Sequence, residues 1–178
     1  MRPPFFTIGH STRSTAEFAE LLQASQVELA VDVRTIPRSR TNPQFNQDVL
    51  PASLAAYGIG YEHIAELGGL RGRRPGADAS PNTFWDNQSF RNYADYTATD
   101  AFREGLRMLT DLGRTRRCAI MCAEAVWWRC HRRIIADYLL VAGEAVCHIL
   151  GPSHVELAKL TPAAKPQPDG TLIYPRPA

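Results

Sequence analysis

The sequence predicts a single-domain α/β protein, a three-layer sandwich in which helices cover both faces of a mostly parallel, Rossmann-like sheet of about five strands. Short apolar runs of strand type alternate along the chain with longer segments of helical periodicity, and this alternation is typical of a parallel sheet. The length of 178 residues favours one domain with a sizeable core. In such sheets ligands bind beyond the carboxyl ends of the strands.

The first half of the chain contains three of the predicted strands. They are residues 5–8, 29–33 and 61–64. Ser14 and Glu17 form a capping-box pattern, which predicts a helix over 15–25. Residues 35–46 are rich in Pro, Arg, Ser and Asn and predict a loop, and a short helix follows near 50–57.

The second half of the chain contains the remaining elements. Helices are expected at 88–98, 100–112 and 129–142, and strands at 117–121 and 145–149. Residues 68–81 are rich in Gly, Arg and Pro and predict a long loop or a mobile lid. We divide the chain into an α/β domain, 1–155, and a Pro-rich C-terminal extension, 156–178. Asp169-Gly170 is a turn signal, so the extension forms either a small hairpin or a frayed tail.

The charge and hydropathy patterns exclude some classes of protein. The net charge of +2 provides no global case for nucleic-acid binding. Lys159 and Lys165 are the only lysines, so almost all positive charge is Arg, which suits phosphate and carboxylate groups but also reflects a GC-rich genome. We find no apolar run of about 20 residues and no signal-peptide pattern, and we therefore expect a cytoplasmic protein that does not bind membranes.

Polar side chains follow three of the predicted strands and define the candidate site. The candidate substrate-binding residues are His10, Ser11, Asp32, Arg34, Arg38, Ser39, Arg40 and Arg132, and the candidate catalytic residues are Cys122, Glu124 and His131. Because the carboxyl ends of parallel strands meet at one edge of a sheet, we expect these residues to converge there.

Several short blocks resemble those of a known family. They are Gly9-His10-Ser11-Thr12, Asp32-Val33-Arg34, Pro37-Arg38-Ser39-Arg40, Tyr61-Glu62-His63 with Leu67-Gly68-Gly69, and Cys122-Ala-Glu124…Cys130-His131-Arg132. In this order, over about residues 6–150, they resemble the signature blocks of the domain of unknown function 488 family, and residues 160–175 are similar to its usual C-terminus. The resemblance implies a prokaryotic α/β domain and brings no established activity.

The cysteines are the most informative chemical groups. They are Cys118, Cys122, Cys130 and Cys147. In a cytosolic chain so few cysteines argue against a disulfide scaffold and leave buried thiols, reactive thiols or metal ligands. Cys118 and Cys147 lie inside predicted strands and are expected to be structural. For Cys130 the structural and functional interpretations are balanced.

A nucleophilic role is the first interpretation of Cys122. It is predicted in a strand-to-helix turn, where backbone N–H groups and the helix N-terminus lower a thiol pKa. Arg129, Arg132 and Arg133 follow and can hold an oxyanion, a layout similar in outline to thiol phosphatases and rhodaneses. Thiol phosphatases, however, have Arg where this chain has Trp128, and Glu124 would repel an anion.

Metal binding and simple packing are the other interpretations. Zinc or iron ligands could be drawn from Cys122, Glu124, Cys130, His131 and His10. The spacing is weak support, because Cys130 and His131 would be neighbours on a helix, with side chains about 100° apart. Glu124 and His131 suit acid–base catalysis, although Glu124 could instead form an ion pair with Arg132 or Arg34. Asp32 and Arg34 are also expected to pair.

The Arg and aromatic residues of the loops allow a further interpretation. Phosphates could be bound by Arg38, Arg40, Arg71, Arg73 and Arg74, and bases could stack on Phe84, Trp85, Trp127 and Trp128. Our leading hypothesis is an enzyme that acts on an anionic, phosphate-bearing or nucleotide-related substrate. The alternatives are a non-catalytic nucleic-acid or nucleotide-binding module, and a metal or redox protein using Cys122 and Cys130. The cofactor, metal and oligomeric state stay unknown at this stage.

Overall fold

A six-stranded sheet forms the centre of the computed structural model, which describes residues 2–178. Its strands are β1 (Phe5–Gly9), β2 (Leu29–Asp32), β3 (Gly60–His63), β4 (Cys118–Cys122), β5 (Val146–Gly151) and β6 (His154–Leu157). The strand order is β3-β2-β4-β1-β5-β6; β1 to β5 pair in parallel, and β6 is antiparallel to β5. The mostly parallel α/β sandwich is therefore confirmed, with β6 as an additional edge strand.

Within residues 2–178, five α-helices cover the two faces of the sheet. They are α1 (Thr15–Ala24), α2 (Leu50–Ala55), α3 (Gln88–Tyr96), α4 (Asp100–Thr115) and α5 (Arg132–Val141). Phe18 of α1 and Leu54 of α2 pack in one core, whereas Phe102 of α4 and Ile135 of α5 pack in the core on the opposite face. No helix among residues 2–178 is long and apolar enough to cross a membrane.

The helix starts follow local hydrogen bonds. The predicted capping box is present: Glu17 N–H donates to Ser14 Oγ at 3.1 Å, and Ser14 N–H donates to Glu17 Oε1 at 3.2 Å. The helix predicted from residue 129 begins instead at Arg132, because Trp127–Arg129 form a separate 3-10 turn. Cys130 follows that turn in an extended conformation, with φ −128° and ψ 147°.

The C-terminal residues pack against α5. Strands β7 (Lys165–Pro166) and β8 (Leu172–Ile173) form a small antiparallel hairpin. Tyr174 is fully buried and donates to Asp137 Oδ2 at 2.9 Å, and Leu172 N–H donates to the Tyr138 hydroxyl at 2.9 Å. Of the two expectations for the tail, the hairpin is the one observed.

The segments that leave β1 and β4 run side by side at the carboxyl edge of the sheet. His10 N–H donates to Cys122 O at 2.8 Å, and Ser11 N–H donates to Ala123 O at 3.0 Å. A Cβ atom on Gly9 would lie 1.8 Å from Glu124 O, so only glycine permits this approach. Gly9 thereby determines where the segment after Cys122 lies.

We expect Gly9→Ala to lower the free energy of unfolding by about 1–3 kcal/mol, because the added methyl group must displace the backbone of Glu124. Urea denaturation of the purified chain measures the change. Gly72→Ala is the matched control, since a Cβ there meets nothing within 4 Å. Equal unfolding midpoints for the two variants would contradict the proposed close approach.

Candidate functional site

A cavity of about 420 Å³ lies at the carboxyl edge of the sheet, beyond the end of β4. Cys122, Cys130 and His131 line it together with Arg34, Arg38, Glu124 and Arg129. Ile36, Leu70 and Phe90 add apolar surface, and the side chains of Ile36 and Leu70 are 61% and 71% exposed. The cavity therefore combines thiols, cationic groups and an apolar rim.

The two cysteines of the cavity face each other. Cys122 is the last residue of β4, and Cys130 comes two residues before α5. Both are buried, and their Sγ atoms are 2.6 Å apart. The chain segment between them brings the two thiols back to one point at the end of the sheet.

Arg132 and His131 both contact the Cys130 sulfur. Arg132 Nε donates to its Sγ at 3.3 Å, and His131 Nδ1 lies 3.5 Å from the same atom. Because a carbonyl only accepts, the contact of His131 Nε2 with Val33 O at 2.8 Å places the ring hydrogen on Nε2 and leaves Nδ1 as an acceptor facing the sulfur. His131 is thus oriented to accept a proton from Cys130.

The thiol pKa values of the two cysteines move in opposite directions. Burial raises the pKa of the Cys130 thiol, but a hydrogen bond from Cys122, the charge of Arg132 and the contact with His131 outweigh it and hold the pKa well below its ordinary range. Burial raises the pKa of Cys122, and the hydrogen bond and charge of Cys130 raise it further. These opposite directions favour Cys130 as the thiolate of the pair and Cys122 as the thiol that donates to it.

Arg132 is a fixed internal group. It is 1% exposed, and besides Cys130 it donates to Thr7 Oγ1 at 3.2 Å and to the backbone carbonyl of Glu124 at 2.7 Å. These contacts occupy its guanidinium from three sides. Its position suits it to stabilise the thiolate and to hold the loop after β4. It does not suit the direct substrate binding that the sequence predicted for Arg132.

Asp32 and Arg34 pair as the sequence predicted. Arg34 Nη2 lies 2.7 Å from Asp32 Oδ2, and Arg34 Nε lies 3.0 Å from Oδ1. The Tyr61 hydroxyl donates to Asp32 Oδ2 at 2.5 Å, Phe45 O accepts from Arg34 Nη2 at 2.7 Å, and Arg34 Nη1 lies 3.4 Å from His10 Nε2. The Arg34 side chain therefore reaches the cavity from a rigid, buried network.

His10 supports this network from behind the cavity wall. Its ring stacks on Phe45 with a centroid distance of 4.3 Å, and its Nδ1 donates to Ser11 O at 2.8 Å. Burial lowers the His10 pKa, and the nearby Arg34 lowers it further. A neutral His10 accepts from Arg34 at Nε2, which leaves it a supporting residue at this edge.

The other predicted residues divide into two groups. Arg38 and Glu124 line the cavity, and both are exposed. Ser11, Ser39 and Arg40 lie outside its lining. Ser39 stabilises its own loop, since its Oγ accepts from Asn42 N–H at 2.9 Å, and Arg40 is exposed to solvent.

Glu124 makes neither of the ion pairs that the sequence suggested. Its carboxylate accepts from Val126 N–H at 3.4 Å, and its contact with Arg132 is through the backbone carbonyl. Among residues 2–178, no ion pair joins Glu124 to Arg132 or Arg34. The exposed carboxylate, which lines the cavity, is therefore not neutralised by either arginine.

The placement of Cys130 beside His131 differs from the geometry expected of two neighbours on a helix. Since Cys130 is extended and α5 begins only at Arg132, both side chains face the same cavity. From the sequence alone, the structural and functional interpretations of Cys130 are balanced. The signal that could have found it is the Cys-His-Arg triplet itself, taken as a non-helical segment.

A network of side chains next to Arg132 was not predicted from the sequence. Thr7 Oγ1 accepts from Arg132 and lies 2.7 Å from His148 Nδ1, and His148 stacks on Trp127 with a centroid distance of 4.5 Å. Trp127 in turn donates from Nε1 to Glu156 Oε1 at 2.7 Å. This bond connects β6 to the loop between β4 and α5, which we call the cavity loop. Burial lowers the His148 pKa to about 4, and the charge of Arg132 contributes in the same direction.

The depressed pKa of His148 predicts a specific pH dependence of stability. Its pKa falls from 6.5 when unfolded to about 4 when folded, so its contribution is fully present above pH 6.5 and is lost as the pH falls toward 4. At about 1.4 kcal/mol per pKa unit, the loss amounts to about 3 kcal/mol. We expect His148→Gln to flatten the stability profile in this range, as measured by urea denaturation. His154→Gln, at an exposed position, is the control, and identical profiles for wild type and His148→Gln would contradict the prediction.

Two of the tryptophans and one of the loop arginines, Arg71, make contacts within the protein, whereas Arg38 and Arg40 are exposed. Trp85 is 5% exposed, the half-buried Trp127 contacts His148 and Glu156, and Trp128 is 45% exposed. Arg71 lies over the Tyr96 ring at 3.8 Å. An extended base-stacking surface is therefore not formed by these side chains.

The potential metal ligands do not form a common cluster. Within residues 2–178, no group of three or more His, Cys, Asp or Glu side chains has a geometry that could hold a metal ion. His131 uses Nε2 for Val33 O, and His10 contacts Arg34. The geometry thus favours the two thiols as a reactive pair over a ligand set.

The fold and the site together define a small α/β domain with a two-thiol cavity at the carboxyl edge of its sheet. A family model described as "Domain of unknown function DUF488" matches residues 14–139, and the chain belongs to this family. The family relation implied by the motif blocks is thus confirmed. No curated protein and no solved structure matches the chain.

Proposed function

We propose that the protein is a thiol-dependent enzyme that acts on an anionic substrate, with Cys130 as the nucleophile and His131 as its acid–base partner. The observation that carries the proposal is the 3.5 Å separation of Cys130 Sγ from His131 Nδ1, with Nε2 tied to Val33 O. A thiolate next to an oriented imidazole is the arrangement that nucleophilic catalysis by cysteine requires.

The chemistry follows from these two groups. The Cys130 thiolate forms a bond to the electrophilic atom of the substrate, and the leaving group departs with a proton from His131. Water then attacks the covalent intermediate, its proton returns to His131, and the thiolate is released. Glu124, whose exposed carboxylate lines the cavity, assists by orienting the water or a substrate amine.

The cavity lining supports an anionic substrate with an apolar or aromatic part. Arg38 and Arg129 are exposed cationic groups on the wall, and Arg34 reaches the cavity from its buried network. Ile36, Leu70 and Phe90 supply apolar contact next to these charges. A volume of about 420 Å³ suits a phosphate ester or nucleotide-sized molecule. The reducing cytoplasm expected from the sequence would keep both thiols free.

We expect iodoacetamide to alkylate Cys130 at pH values well below the ordinary thiol pKa of about 8.5, because Cys122, Arg132 and His131 favour its thiolate. Rates measured against pH, with peptide mapping, assign the modified residue. Cys130→Ser should lose the low-pH reaction, whereas Cys122→Ser, which keeps a hydroxyl donor, should retain it. Preferential alkylation of Cys122 at low pH would contradict the assignment of Cys130 as the nucleophile.

The anion-binding part of the proposal has its own test. Inorganic phosphate should slow the alkylation of Cys130. Arg129→Gln should raise the phosphate concentration that gives half-maximal protection by about tenfold, since each charge-assisted contact contributes about 1.5 kcal/mol or more. Arg114→Gln is the matched control, because Arg114 is exposed on α4, away from the cavity. Protection that is the same in both variants would argue against Arg129 as an anion ligand.

A nucleic-acid or nucleotide-binding module is the second candidate function. The exposed Trp128 stands next to Arg129 on the cavity loop, and this pair suits one stacked base beside a phosphate. A labelled oligonucleotide whose affinity falls steeply with salt, in a protein whose Cys130 alkylates only above pH 8, would favour the binding module over the enzyme.

A further inference from the structure

We propose that Cys122 and Cys130 are a reversible redox pair, which a hydroperoxide converts into an intramolecular disulfide that inactivates the cavity. Only the effect on activity rests on the proposed function. Formation of the disulfide depends on the geometry and chemistry of the two thiols alone.

The geometry needs little change to form the bond. The Sγ atoms are 2.6 Å apart, and a disulfide bond is about 2.05 Å long, so small side-chain movements suffice. The remaining cysteines provide a contrast within the same chain. Cys118 is buried in β4 with its Sγ against Arg116 O, and Cys147 lies in β5, and neither lines the cavity.

The two thiols have the complementary properties of an attacking and a resolving cysteine. Cys130 is held as a thiolate by Arg132 and His131, and the thiolate is the form that reacts with peroxides. Cys122 keeps its proton and already points its thiol at the Cys130 sulfur. Both line the cavity, which gives a small hydroperoxide a path to sulfurs that are otherwise buried.

The reaction balances in two steps. The Cys130 thiolate attacks the terminal oxygen of the hydroperoxide, the O–O bond breaks, and the alcohol or water leaves with a proton from His131, so that Cys130 becomes a sulfenic acid. The Cys122 sulfur then attacks the Cys130 sulfur, and the S–O bond breaks with release of water. Both cysteines have then lost one electron each to the peroxide. An external dithiol reverses the change by thiol–disulfide exchange.

The disulfide would also change the electrostatics of the cavity. It removes the negative charge that partners the buried Arg132 guanidinium, and it removes the nucleophile. Without Cys122, the sulfenic acid has no neighbouring thiol to condense with, so further peroxide carries it to the irreversible sulfinic acid. Cys122 therefore protects Cys130 as well as switching it off.

The test treats the reduced 178-residue chain with one equivalent of hydrogen peroxide, unfolds it in denaturant, blocks free thiols with iodoacetamide, and maps the peptides by mass spectrometry. We expect a Cys122–Cys130 cross-link that dithiothreitol removes, with Cys118 and Cys147 recovered as alkylated thiols. Cys122→Ser should instead accumulate sulfenic acid at Cys130, which a second equivalent of peroxide converts to sulfinic acid. Cys130→Ser should react with peroxide at least tenfold more slowly, and Cys147→Ser should behave as wild type.

The outcomes separate this inference from the proposed function. Sulfinic acid at Cys130 of the wild-type chain without a cross-link, or a cross-link that involves Cys147, would overturn the redox pair. If the Cys122–Cys130 cross-link forms but phosphate gives Cys130 no protection from alkylation, the redox pair is supported and the proposed enzyme with an anionic substrate is contradicted. If phosphate protects Cys130 from alkylation but peroxide produces no cross-link, the proposed enzyme is supported and the redox pair is contradicted.

Discussion

The buried guanidinium of Arg132 connects the elements that form the site. It binds Thr7 on β1, the Glu124 carbonyl after β4 and the Cys130 sulfur, and through Thr7 it reaches His148 on β5. A buried cation needs such partners, because loss of one partner of a buried ion pair costs about 3–5 kcal/mol. The contacts that hold the loop in place therefore also deliver positive charge to the thiol.

A second buried network holds Arg34, which lines the cavity. Asp32 and Tyr61 hold Arg34, which also contacts His10. Each network satisfies its charges internally, so the exposed Arg38 and Arg129 are the cations left for a ligand. This division explains why a chain of nearly neutral net charge presents a cationic cavity wall beside two thiols.

Much of the fold could be predicted because its signals are local. The capping box at Ser14, the apolar strand runs and the strand–helix alternation each follow from a few neighbouring residues, and together they define a parallel sheet. Strand β6 lacked such a signal. It is an exposed edge strand, and its place depends on pairing with β5 and on the bond from Trp127 to Glu156.

The sequence by itself determined the family, the α/β class and the edge of the sheet at which Cys122, Glu124 and His131 gather, because strand order along the chain and strand direction suffice for that. The tertiary structure alone decided that Cys130 faces Cys122 and that Arg132 is internal. The reason is physical: the extended backbone at Cys130 and the delayed start of α5 depend on packing between distant segments, and thiol ionisation depends on charges within a few ångströms.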